Sequence, residues 1–263
     1  MAACIASICN LVRRVDGEAG GLGMGSLQGT DARQHRVPAR CDNTLLDNDR
    51  FGDDLETRLQ QTFGAAERDR YRAIYSALRD ELGYADYLGA LQQFRAGLED
   101  CIELLQMSAF MLEYPFADRV YPRAFEAIAH LRTLGTAAVL SDGDVVFQPR
   151  KIQRSGIWGA VDGRVRIEVH KERTLDATQR CFPASHYVMI EDKPQLLAAM
   201  KRVLGEKLTT VFVRQGHYAA ESMHERIDPP PDISLQHIAD LLDVEPPRFL
   251  AAARAASRHQ EQA

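Results

Sequence analysis

The chain has 263 residues, 45% hydrophobic and 26% charged, with a formal net charge of −5. That is an ordinary soluble composition, long enough for one domain with a large insertion or for two small ones. The acidic balance argues against nucleic acid as a partner, because phosphate binding needs a basic face, and no run approaches the ~18 apolar residues of a membrane span.

Residues 1 to about 36 are rich in glycine, as in GEAGGLGMGSLQGTDARQ, and carry neither a helical nor a strand period. They are expected to be disordered. The opening MAACIASICNLVRR has its arginines after its apolar stretch, which makes it a poor signal peptide. Cys4, Cys9, Cys41, Cys101 and Cys181 are odd in number, with no CxxC. Reduced thiols in a cytoplasmic protein are expected, with neither a zinc site nor a disulfide framework.

From Phe51 the period becomes helical. Phe51, Leu55, Leu59 and Phe63 form one stripe. Tyr71, Ile74, Tyr75, Leu78 and Leu82 form a second, and Tyr87, Leu88, Leu91 and Phe94 a third. An all-helical block is expected to about Leu112. Pro122 suits the first turn of a further helix that Gly135 ends. TAAVLSDGD then reads as a strand running into a polar loop, followed by a helix with Lys151 and Ile152. The end of GIWGAVDGRVRIEV reads as a strand, and a polar helix comes after Lys171. HYVMIED is a buried strand, LLAAMKRVLG a helix and TTVFVRQG a strand; beyond PPPDISL a last helix reaches Leu242. Alternating strands and helices predict a parallel sheet covered on both faces, with ligands beyond the carboxyl ends of its strands.

The polar residues at those ends are Asp42 and Thr44, then Ser141, Asp142 and Gly143, then Glu191 and Asp192; Lys171 lies at a loop or helix start upstream of the last pair. A hydroxyl, a lysine and several carboxylates suit phosphoryl transfer, which needs charge neutralisation, an in-line nucleophile and a proton for the leaving oxygen. Lys171 and Ser141 would hold phosphate oxygens. Glu191 and Asp192 are hard oxygen ligands suited to Mg²⁺. Asp42 would protonate the leaving group and then activate water. A carboxylate to take the phosphoryl group covalently is missing.

The chain resembles the haloacid dehalogenase-like (HAD) hydrolases. The family's D-x-D-x-T motif reads here Arg40-Cys41-Asp42-Asn43-Thr44, its Ser/Thr strand end reads VLSDG with Ser141, its lysine HKE with Lys171, and its acidic strand end VMIED with Glu191 and Asp192. The resemblance spans about residues 40 to 243. It implies an α/β fold, a Rossmann-like core with a parallel sheet plus an all-helical cap inserted after the first motif. The expected organisation is core over 37–48 and 115–245, cap over 49–114, tail over 246–263, and 1–36 disordered or foreign to the fold. Because Asp42 is kept, the resemblance implies a phosphatase rather than a dehalogenase, cleaving a small phosphorylated substrate through an aspartyl-phosphate. It implies Mg²⁺ held by Asp42, Glu191 and Asp192, and catalysis by Asp42, Thr44, Ser141 and Lys171.

Two departures stand against this. Arg40 occupies the nucleophile position. Upstream, Gln34-His35-Arg36-Val37-Pro38-Ala39 replaces an apolar strand, and proline cannot donate to a ladder. The first core strand is expected to be defective, and lost together with the nucleophile. The chain is then an inactive HAD fold serving as a binding or regulatory module, or its first ~41 residues belong to another reading frame or start, or another residue is the nucleophile. Strand alternation turns Cys41 away from positions 40 and 42, which weighs against that last reading.

Plainer roles remain for several residues. Lys151 is a rival to Lys171. Thr44 can bond its own turn. His170, Arg214 and His217 can be surface residues at the rim of the site, and Asp47 and Asn48 a linker or a gate. Tyr71, Tyr75, Tyr84 and Tyr87 read as packing, and Asp53-Asp54 as a helix N-terminal feature. The sequence leaves substrate and oligomeric state open.

Overall fold

The computed structural model describes residues 35–39, 42–98, 101–168 and 175–249. Its centre is a six-stranded sheet. The strands are β1 (His35–Ala39), β2 (Thr136–Asp142), β3 (Val165–Glu168), β4 (His186–Glu191), β5 (Leu208–Val213) and β6 (Ile233–Leu235), in the order β3-β2-β1-β4-β5-β6. Every pairing is parallel. β2, β4 and β5 are buried along their whole length. This is how strands covered on both faces read: VLS, YVMI and TVFV are near-continuous apolar runs rather than alternating ones.

β1 corrects an expectation. The strand expected to be lost is present, in the middle of the sheet, with Arg36 through Ala39 in register with Thr136 through Val139. On its other side the register with β4 runs through His35, Arg36 and Ala39, with Val37 and Pro38 between them. The defect is local. Proline fixes a φ compatible with extended backbone and removes a single donor, whereas two parallel neighbours hold the rest of the strand. Arg40 and Cys41 lie outside the described residues, as do Lys171, His170 and the segments before His35 and after Phe249.

Between β1 and β2 lies the helical insert: α1 (Asn48–Phe63), α2 (Ala65–Leu82), α3 (Tyr87–Phe94) and α4 (Ile102–Glu113). The apolar stripes face inward, with Phe51, Leu55 and Leu59 buried on α1, Tyr71 and Leu78 on α2, and Tyr87, Leu91 and Phe94 on α3. Asp47 and Asp86 cap α1 and α3 through bonds from Arg50 N and Gly89 N, each satisfying an orphan donor of the first turn. Gly83, left-handed at φ 80°, ends α2.

α5 (Ala124–Leu134) leads into β2 and ends at Gly135 as expected, but it starts two residues after Pro122. α6 (Phe147–Arg154) and α7 (Ile157–Ala160) join β2 to β3; α8 (Leu175–Cys181), α9 (Pro194–Leu204) and α10 (Gly216–Glu221) follow β3, β4 and β5. The last helix expected, beyond PPPDISL, is a 3-10 helix over Ile238–Asp243, and the ISL before it is the strand β6. A strand of three residues is too short to show a period. α11 (Pro246–Phe249) closes the described chain, with Phe249 buried.

An aromatic cluster fastens the insert to the core. Phe51 of α1 lies 5.1 Å from Tyr87, 5.0 Å from Tyr114, 5.2 Å from Phe116 and 5.4 Å from Phe147, centroid to centroid. Burying each such ring is worth about 1.5–3 kcal/mol. Phe147 also meets Tyr87 at 5.3 Å, so this packing fixes α6, the helix that carries Gln148 and Lys151.

Candidate active site

Asp42 follows β1 directly. Residues Asp42 to Leu46 form a tight turn, with Asn43 N donating to Leu46 O at 2.6 Å and Asn43 left-handed at φ 54°. Asn tolerates that conformation better than most residues. All five residues are buried. The turn is held from the side by Gly216, at φ 73°, where a Cβ would stand 2.6 Å from Asn43 Cβ. Only glycine fits there.

Asp42 is the hub. Lys151 Nζ, on the buried face of α6, lies 2.7 Å from Asp42 Oδ1. Gln148 Nε2 donates to Asp42 Oδ2 at 3.0 Å and to Ser141 Oγ at 2.6 Å. One amide thus ties the end of β1 to the end of β2. Lys151 Nζ also donates to Asn48 Oδ1 at 3.0 Å, and Asn48 Nδ2 to Tyr87 Oη at 3.3 Å. The chain Asp42–Lys151–Asn48–Tyr87 runs from core to insert. α6 is aimed by Asp144, whose Oδ1 accepts from Val146 N and Phe147 N. Its Pro149 falls in the first turn, where no donor is missed.

A second link crosses at the mouth. Asp49 of α1 accepts from His217 N of α10 at 2.8 Å, and the His217 ring lies 2.5 Å from Asp49 Oδ1. Asn43 Nδ2 donates to the same carboxylate at 2.9 Å. Burial pushes the Asp49 carboxyl up, but the bonds from His217 and Asn43 outweigh it and hold Asp49 below its ordinary 3.8.

Between insert and core lies a cavity of about 400 Å³, with Asp42, Asp142 and Gln148 on the core side and Arg79, Tyr75 and Tyr84 on the insert side. Asp49, Asn48, Tyr87 and His217 line it as well. Three tyrosines that read from sequence as packing are therefore also cavity wall.

Ser141 reaches Asp42 through Gln148. Thr44 is fully buried beside it, but its Oγ1 makes no hydrogen bond among the described residues, so the bond within its own turn is not there. Glu191 and Asp192 are fully buried at the end of β4, where Glu191 Oε1 accepts from Lys193 N at 3.2 Å. Arg214 is exposed, lies 5.8 Å from the Phe212 ring, and is not among the cavity residues. Lys151 is the described lysine that pairs with Asp42. Gln148 had no motif to announce it; its signal is the i, i+3 spacing that puts it on the Lys151 face of α6.

The donors named for Mg²⁺ have the right chemistry, hard carboxylate oxygens. Among the described residues, which leave out position 40, no three His, Cys, Asp or Glu form a group able to hold a metal. Asp42, one of the three named ligands, is engaged by an ammonium and an amide.

A structure from Burkholderia xenovorans LB400, described as a haloacid dehalogenase-like hydrolase, matches at 52% identity with a TM-score of 0.73, covering 78% of this chain and 96% of its own. The chain belongs to the HAD-like hydrolases. Two more distant structures share the fold. A HAD-like family hydrolase of Xanthomonas campestris is 16% identical, with a TM-score of 0.59 over 89% of this chain and 100% of its own. The HAD-hydrolase YfnB of Bacillus subtilis, described as bound to magnesium, is 15% identical, with a TM-score of 0.51 over 80% and 97%. No protein-family model and no curated protein matches the chain. No helix among the described residues of this HAD-like hydrolase is long and apolar enough to cross a membrane.

Proposed function

We propose that this HAD-like hydrolase has a phosphatase-type site for a small phosphomonoester, complete except for the carboxylate at position 40. The observation that carries the reading is the buried Asp42–Lys151 pair at 2.7 Å, whose Asp42 lines the cavity beneath the helical insert while Lys151 lies behind it. A substrate phosphate would compete for the Lys151 ammonium and release Asp42 to carry a proton. With aspartate at position 40, its carboxylate oxygen bonds to phosphorus as the ester P–O bond breaks. Asp42 gives its proton to the departing alkoxide. Asp42 then takes a proton from water, whose oxygen attacks phosphorus, releasing phosphate and freeing the carboxylate. Ser141, held by Gln148, is placed to donate to a phosphoryl oxygen.

Mg²⁺ dependence belongs to this reading. The buried acids Glu191 and Asp192 support it, and so does the magnesium-bound description of the Bacillus structure. Arg40 favours a second reading, a catalytically inactive fold that binds a phosphorylated ligand. Its cation would stand where a nucleophile and a metal would otherwise meet. The test is p-nitrophenyl phosphate hydrolysis by the chain and by Arg40→Asp, each with Mg²⁺ and with EDTA. Turnover by Arg40→Asp with Mg²⁺ alone supports the first reading. A folded Arg40→Asp protein that stays silent supports the second.

A further inference from the structure

The core side of the cavity carries Asp42, Asp142 and Gln148; its insert side carries the α1 carboxylates Asp49, Asp53 and Glu56, Arg72, and Arg79, which stands between Tyr75 and Tyr84 in sequence. Arg79 stands in the last turn of α2, where a cation suits the helix C-terminus, and its guanidinium carbon lies 6.0 Å from the centre of the Tyr75 ring. Neither relation uses its N–H donors. Arg79 Nε is buried and makes no hydrogen bond among the described residues, and no carboxylate among them pairs with the guanidinium. The cavity's other arginine is different, because Arg72 pairs with Glu56 at 3.3 Å. A buried donor left unmatched carries a desolvation cost, which a ligand oxygen would remove.

Resting on the phosphoryl reading of the Asp42 end, we propose that Arg79 is the specificity-determining residue of a distal anion subsite. The substrate is then a small phosphomonoester with a second anionic oxygen group, carboxylate or phosphate, at the end away from Asp42. The planar guanidinium fork matches both groups, donating two parallel hydrogen bonds. At about 400 Å³ the cavity is near the low end for small-molecule sites, which suits a compact two-anion molecule rather than a nucleotide. The Tyr75 ring stacks on Tyr87 at 4.8 Å and 21°, a stiff wall that holds the subsite at a fixed distance from Asp42.

The test is calorimetric binding to the full chain, with Mg²⁺ present. The probes are ω-carboxyalkyl phosphates of two to four carbons, the matching alkanediol bisphosphates, and the matching neutral alkyl phosphates. At least one two-anion probe is expected to bind tenfold or more tightly than its neutral match, and comparison of the two series says which anion is preferred. Arg79→Gln should erase the preference and leave alkyl phosphate affinity unchanged, whereas Arg72→Gln should keep it. If Arg79→Gln loses its fold by circular dichroism, Arg79→Lys decides instead, with the preference falling at least threefold. Equal binding of the two classes, or a preference that survives at position 79, overturns the subsite. If alkyl phosphates fail to bind while plain alkyl dicarboxylates bind in an Arg79-dependent way, the subsite stands and the phosphoryl reading falls. If no probe distinguishes the chain from its Arg79 variants, the subsite falls whatever happens at Asp42.

Discussion

Lys151 and Asp42 are both withdrawn from water, and each justifies the other's burial. Desolvating such a pair costs as much as its attraction returns, but removing one partner strands a buried charge. Lys151→Ala should therefore destabilise the protein by about 3–5 kcal/mol in urea unfolding. Lys151→Met combined with Asp42→Leu should recover most of that loss. A double variant as unstable as Lys151→Ala would mean that the site's geometry, not the charge pair, supplies the stability. Gly216→Ala tests the close approach to Asn43. The left-handed backbone alone costs an L-residue roughly 1–2 kcal/mol, and the 2.6 Å contact adds to it, so thermal unfolding should fall by several degrees. Asp49 gives a pH prediction. Its folded value is lowered, so its contribution to stability is present above the unfolded value of about 3.9 and is lost as pH falls through the lowered one. Carbon NMR titration of the Asp49 carboxyl should give a midpoint below that of an exposed aspartate; a midpoint above it would break the link to His217.

The elements differ in how plainly the sequence announces them. α1, α2 and α3 are legible because each packs one side only, which writes a stripe every three or four residues. β2, β4 and β5 are legible as short apolar runs ending in polar residues. β6 is not, since Ile233–Leu235 is too short to carry a period and pairs with β5 alone. β1 misleads because its composition, taken without its neighbours, argues against a strand. HRVPA is a poor strand by itself, yet β2 and β4 supply partners on both sides. If Pro38 is the local flaw, Pro38→Val restores one donor and should stabilise the protein by about 0.5–1.5 kcal/mol in urea unfolding. No change would mean that the ladder has no acceptor for that N–H.

For the molecule as a whole, the family is readable in sequence because three strand ends and one lysine, in the right order, carry chemistry-bearing residues. The described lysine that pairs with Asp42 is not. Motif spacing favours Lys171, but it lies outside the described residues, and Lys151 makes the ion pair because α6 returns its inner face to the end of β1. Gln148 and Arg79 are not legible either, since each owes its place to a helix meeting the cavity rather than to a motif. What joins these scales is the claim that a phosphoryl-transfer site lies under the insert with position 40 as its one missing part. The most direct test is the initial rate of p-nitrophenyl phosphate hydrolysis by the chain and by Arg40→Asp, with folding of both checked by circular dichroism. The expected result is no turnover by the chain and Mg²⁺-dependent turnover by Arg40→Asp. Equal turnover by both, or a folded Arg40→Asp protein with none, would contradict it.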